Sequence, residues 1–184
     1  MKQEWEKFLN LIKLTTRNHD NYMYIVSKFR PGCTPVQIKL LEKSLGVSLP
    51  NDYKELLMIC NGQEGYPGIF NYNEMLSQEE VSSEWEINTD LLNDGDFNDE
   101  AGKGGSGVKN DWWNKKWIPI ATDGGGNCIC VDLDPGPGGH SGQVIHFWHD
   151  DNARQLVAKS FKEFFKISTS KFLEDIKSGK IDFK

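Results

Sequence analysis

The 184-residue chain has no run of apolar residues approaching the roughly 18 that a bilayer-crossing helix needs. No secretory signal is read at its start either. Met1 to Leu14 carries Glu4 and Glu6 among spaced apolar residues instead of a continuous apolar core. Positive charge is in short supply, with 21 Lys and Arg against 27 Asp and Glu, a net charge of −6. That balance argues against nucleic acid or an anionic membrane as the main ligand. Cysteine is sparse. Cys33, Cys60, Cys128 and Cys130 do not resemble a disulfide framework, so reduced thiols in a cytoplasmic protein are expected. Catalytic signatures are missing as well: there is no G-x-S-x-G elbow, no H-E-x-x-H, and no H-x-E paired with P-C-x-x-C.

What the chain does have is a composition, 38% hydrophobic and 26% charged, that suits one soluble domain with a real core. Its densest pattern lies between Trp112 and Trp148. Three strand-like runs, 117–121, 128–133 and 143–148, are separated by the turn-forming stretches Asp123-Gly124-Gly125-Gly126-Asn127 and Asp134-Pro135-Gly136-Pro137-Gly138-Gly139. This predicts a three-stranded antiparallel meander. Upstream, Trp5, Phe8, Leu9 and Ile12 mark an amphipathic helix. Thr34, Pro35 and Gln37 open a second helix with a capping box, Ile38, Leu41 and Leu45 form its stripe, and Gly46 closes it. A third helix starts after Leu49-Pro50, with Tyr53, Leu56, Leu57 and Cys60 facing inward, and Asn61-Gly62 ends it. The two short helices are expected to pack as a hairpin. A short strand is expected near Ile69 and Phe70, and a last strand over 155–158. A final helix opens on a Ser160/Glu163 capping box and carries a stripe of Phe161, Phe164, Phe165, Phe172, Leu173 and Ile176. Helices, then sheet, then helix predicts an α+β fold with an antiparallel sheet flanked by helices, in a single domain spanning 1–184.

Segment 74–111 stands apart in charge: eleven acids against Lys103 and Lys109, net −9, which leaves the rest of the chain at +3. Its first half, 79–92, has helical character, and the polar, glycine-rich 93–109 is expected to be a mobile loop. The segment therefore reads as an acidic, partly flexible insertion.

Each chemical motif competes with a plainer reading. The glycines at 124–126 precede a strand, and no Gly-Lys-Ser/Thr accompanies them, so they fit a hairpin turn better than a phosphate cradle. Asp94, Asp96 and Asn98 alternate like the start of a calcium loop, but its sixth and twelfth positions hold Asp99 and Gly105. His140, His146 and His149 do not converge along a strand, and Cys128 and Cys130 share a face without a second cysteine pair. Asp132, Asp134, Asp150 and Asp151 border turns, where acids are common. No catalytic, metal or cofactor-binding residue is assigned. Tryptophan is enriched both in cores and at protein–protein contacts. Trp117 belongs to a strand, whereas Trp85 and Trp112 lie in or beside the acidic segment.

Two blocks resemble the SUKH superfamily, specifically its Smi/Knr branch. One is LEKSLGVSLPNDYKELLMICNG (41–62), with Gly46, Leu49, Pro50, Tyr53, Asn61 and Gly62. The other is WWNKKWIPIATDGGGNCICVDLDPGPGGHSGQVIHFWHDD (112–151), with Trp117, Pro119, Asp123, Gly124 and Asp132, followed by the SFKEFF helix. The resemblance implies an α+β fold, structural roles for those motif residues, and a non-catalytic function with no cofactor. Bacterial members are typically immunity proteins that bind toxin domains, often nucleases. Fungal relatives regulate cell-wall synthesis through protein contacts. The leading expectation is thus a toxin-binding immunity protein, with a regulator or scaffold of the same fold as the alternative. An enzyme or small-ligand binder is a third class. For any protein partner, Glu84, Trp85, Glu86, Asp94, Asp96, Asp99 and Trp112 are the expected contact residues, because an acidic patch with tryptophans suits a basic cleft.

Overall fold

A computed structural model describes residues 1–97 and 100–183. Helix α1 (Lys2–Thr16) buries Trp5, Phe8 and Ile12, as their spacing requires, and stops at Arg17 in the left-handed region. A helix that the apolar pattern does not announce, α2 (His19–Ser27), follows at once. Its only buried residue is Ile25, and the Asn18 side-chain Oδ1 caps it by accepting from the backbone N–H groups of Asp20 and Asn21. Strand β1 (Phe29–Pro31) leads to α3 (Pro35–Leu45), where both halves of the Thr34/Gln37 capping box form and Gly46 takes φ 65°. Helix α4 (Asn51–Leu57) is shorter than expected. Cys60, Asn61 and Gly62 belong to strand β2 (Cys60–Gln63), which pairs antiparallel with β1. Helices α3 and α4 line one groove and are tied by Lys54 to Glu42 at 3.1 Å, but their main packing is elsewhere: α3 on α5 (Gln78–Asp94), and α4 on β2, α6 (Phe161–Lys177) and α1. Between Gln63 and the sheet, Phe70 and Asn73 form only an isolated bridge, with Ile69 and Phe70 fully buried.

The main sheet has six strands in the order β3-β5-β6-β7-β8-β4. Its centre is the expected meander: β5 (Trp117–Thr122), β6 (Cys128–Asp132) and β7 (Gln143–Phe147), extended by β8 (Ala153–Ala158). Strand β3 (Glu74–Met75) adds antiparallel to β5, and β4 (Lys103–Gly104) adds parallel to β8, so the sheet is mixed instead of purely antiparallel.

Successive strand residues point to opposite faces, and two apolar clusters follow from that alternation. On one face Ile118, Ile129, Val131 and Val144 meet Trp5, Phe8, Tyr53, Phe161, Phe164, Phe165 and Phe172 from the helices. On the other, Trp117, Cys128, Cys130, Ile145 and Phe147 are covered by Val108 and Trp113, with Leu92 and Phe97 at the margin. A register shift between Pro119 and Ala121 lets Ile120 and Ala121 both join the first cluster.

The acidic segment is therefore part of the fold. Helix α5 has a complete Ser77/Glu80 capping box, with Val81 in the first cluster, Leu92 against the second, and Trp85 against both. The Glu80 carboxylate also accepts a fork of bonds, 2.7 and 2.9 Å, from Arg30. The glycine-rich stretch expected to be mobile is held from two sides: β4 pairs with β8, and Gly107 meets Gly139 so closely that a Cβ on Gly139 would lie 2.1 Å from the Gly107 carbonyl oxygen. Gln143 Nε2 and Gly136 N–H both donate to that same oxygen.

Candidate functional site

The residues that made the sequence recognisable turn out to build the scaffold. Gly46 and Gly124 supply positive φ, and Leu49 is buried. Pro50 precedes α4, and the Tyr53 ring meets the edge of Phe161 at 5.0 Å. Asn61 Oδ1 accepts from the Gln78 N–H at the start of α5, and a Cβ on Gly62 would collide with Ser77 N at 2.6 Å. Trp117 and Pro119 are buried in β5. The Asp132 carboxylate is buried and accepts from Asp134 N–H and Gln143 Nε2 at 2.9 and 2.7 Å; burial raises its pKa.

The glycine loop is a turn closed on itself. Burial alone would raise the Asp123 pKa, but bonds from Asn127 Nδ2, Gly125 N–H and Asn127 N–H outweigh it and hold the carboxyl below its ordinary range. His149 N–H donates to Asn127 Oδ1, and the His146 ring stacks on Trp148 at 3.7 Å. All four cysteines are free and buried. Burial raises the thiol of Cys33 to about 11 and those of Cys60 and Cys128 to about 12, leaving them protonated and poor nucleophiles at neutral pH. Among the described residues, no three His, Cys, Asp or Glu side chains gather as a metal-binding group.

The expected partner-contact residues separate into two sets. Trp85 is half-buried and donates Nε1–H to the Lys115 carbonyl at 2.8 Å. Glu84 is half-buried too, its pKa raised by burial and then by the charges of Glu80 and Asp123. Trp112 is half-buried and lies over Arg154, 4.9 Å from ring centroid to guanidinium carbon. Glu86, Asp94 and Asp96 are exposed, and Asp99 lies outside the described residues.

The structure adds residues to the exposed set. Ile87 and Leu91, one helical turn apart on α5, are 53% and 38% exposed, with Glu86, Asp90 and Asp94 beside them. The α5 surface is thus an apolar pair in an acidic border. The i,i+4 spacing of Ile87 and Leu91 was the available signal, obscured by the segment's charge. Arg154 is a further residue with no sequence signature. It is fully buried, sandwiched between Trp112 and Phe147, and donates to the carbonyls of Trp112, Asp151 and Ala153. Burial lowers its pKa to about 10.

A mixed sheet packed by helices on one face and by an α5-led segment on the other defines an α+β domain. The SMI1 / KNR4 family (SUKH-1) matches residues 32–167, and the chain belongs to that family. It is similar to a "Glucan synthesis regulatory protein" of Neurospora crassa, 30% identical over 88% of this chain and 36% of that protein. It is also similar to the "Cell wall biosynthesis/cell cycle regulator smi1" of Schizosaccharomyces pombe, 32% identical over 80% of this chain and 32% of the relative. The "Cell wall assembly regulator SMI1" of Saccharomyces cerevisiae is 27% identical over 80% of this chain and 36% of its own length. The chain spans about a third of the length of these relatives. Their names describe regulators, not enzymes.

Proposed function

We propose that the chain is a regulatory binding domain that acts on cell-wall assembly through protein contact, docking its partner on the outer face of α5. The observation that carries this reading is the exposed Ile87–Leu91 pair bordered by Glu86, Asp90 and Asp94 on an ordered helix. Amphipathic helix faces of this kind seat in apolar grooves, with the surrounding charge steering and selecting the partner. The expected partner surface is an apolar cleft with basic walls. Buried, protonated thiols and glycine loops used up in turns fit a contact function better than covalent chemistry. The regulator names of the relatives favour wall assembly over neutralisation of a toxin.

The test is to introduce Ile87→Gln/Leu91→Gln in the whole chain and compare partner capture and wall composition in the organism that carries it. Loss of both, with unchanged thermal stability, supports the proposal. Unchanged capture and wall composition would sink it.

A further inference from the structure

The groove between α1 and α6 has the chemistry that the α5 face demands. Two cavities, of about 410 and 570 Å³, lie along the helix pair and share Leu11. Phe8, Leu11 and Leu173 line the first, and Leu11, Leu14 and Ile176 the second. Leu14 is 71% exposed, an apolar side chain left without cover. The charged residues along this trough are Lys7, Lys166, Arg17 and Lys177, with Glu4 as the single acid. Glu4 is already engaged by Lys162 and Lys166 at 3.5 and 3.2 Å. Lys7, Arg17 and Lys177 have no acidic partner among the described residues. In a chain of net charge −6, this is a trough with an apolar floor at Leu11 and Leu14 and polar, mostly basic walls, to which Gln3, Thr169 and Ser170 add uncharged groups.

We propose that a second copy of this chain occupies the trough with its α5 face. Ile87 and Leu91 would fill the cavities on either side of Leu11, while Glu86, Asp90 and Asp94 meet Lys7, Arg17 and Lys177. The charge complementarity is between two patches of one sequence, and the apolar knobs and hollows match in kind. α1, at 15 residues, is about 22 Å long, so the contact belongs to the small, transient class below about 1,200 Å². The two patches differ, so the contact is head-to-tail and adds copies in series. This rests on the reading of α5 as a docking face. A copy seated in the trough withholds α5 from the regulated partner, so self-association competes with regulation.

Sedimentation velocity of the whole chain over a wide concentration range, at low and high salt, tests the idea. The expected result is a weight-average mass that rises with concentration from the 20.9 kDa monomer and falls back with added salt. A trough variant, Leu14→Ser/Lys7→Gln/Lys177→Gln, and a face variant, Ile87→Gln/Leu91→Gln, should each weaken self-association about tenfold or more. Mixed one to one, they retain one intact trough and one intact face between them, so assembly should resume and stop at two copies. A wild-type chain that stays monomeric at every concentration overturns the proposal, as does a mixture that forms no dimer. Partner capture tells the two readings apart. The trough variant should keep or increase it, and capture that depends on α5 while the wild type stays monomeric leaves the docking face standing and removes only the second copy.

Discussion

The two faces of the main sheet are filled by different means. The helical face is packed by aromatic side chains from α6, α1 and the Phe70 bridge: Phe70, Phe161, Phe164 and Phe165 meet at centroid distances of 4.9–6.4 Å, and Trp5 and Phe8 close on Phe165 at 6.2 and 6.0 Å. The opposite face is covered by the stretch of chain that runs through the acidic segment to Trp113, which contributes Val108 and Trp113 and is pinned by Arg154, Gln143 and a glycine–glycine contact. The first face depends on burial of area, and the second depends in addition on polar ties to backbone carbonyls. Loss of packing should therefore unfold the whole domain from one side, whereas loss of a tie on the other side should first free the cover.

The largest effect expected is from Phe164→Ala on the helical face. It removes a fully buried ring and should cost about 3–5 kcal/mol in chemical denaturation, with one cooperative transition. Trp113→Ala should cost about 3 kcal/mol and, unlike Phe164→Ala, should raise amide exchange over 100–115 more than over α6. Uniform loss of protection would erase the distinction between the faces. Arg154→Met keeps much of the apolar bulk but leaves the Trp112 carbonyl without its two donors, at about 1–3 kcal/mol. Its exchange signature should match that of Trp113→Ala.

Acidity gives a smaller, signed effect. The carboxyls of Glu80, Asp123 and Asp134 sit below their ordinary range. Burial opposes this at Glu80 and Asp123, and the bonds from Arg30, from Asn127 and Gly125, and from Lys109 and Asn114 prevail. A carboxyl held low in the folded state adds stability above its unfolded pKa and loses it as pH falls through the folded one. Melting temperature should thus fall as pH drops below the ordinary carboxylate range, and Asp134→Asn should flatten part of that slope. Asp132 and Glu84, raised by burial, act in the opposite direction. The smallest effect is expected at Ile87→Gln/Leu91→Gln, within about 0.5 kcal/mol per site, because exposed positions carry little packing.

Local chemistry made much of the fold legible before any coordinates. Thr34 with Gln37 marked the start of α3, and the glycine loops separated β5, β6 and β7. The six-residue stripe of α6 named its buried face. Other features left no local trace. Helix α2 buries only Ile25 and depends on the Asn18 cap, so no apolar period revealed it. Asn61-Gly62 has the composition of a helix stop, yet pairing with β1 makes it a strand. Charge made 74–111 read as a partly flexible insertion, since composition reports what faces water and not that Val81 and Val108 face inward. For the candidate site, the acids Glu86 and Asp94 were readable. The separation of Trp85 and Trp112 from the exposed set depended on their long-range ties to Lys115 and Arg154.

Strand β4 is two residues long, and it lies along the outer edge of β8. An exposed strand edge is a template for pairing with other chains, and short edge strands are one way proteins blunt it. Because β4 belongs to the same stretch that covers Cys128, Cys130 and Phe147, detaching that stretch would bare an apolar sheet face and open the β8 edge in one event. The cover is thus also a guard against aggregation. Damage to its anchors at Arg154 or Gly107 should show first as insolubility on warming, before the helical face gives way.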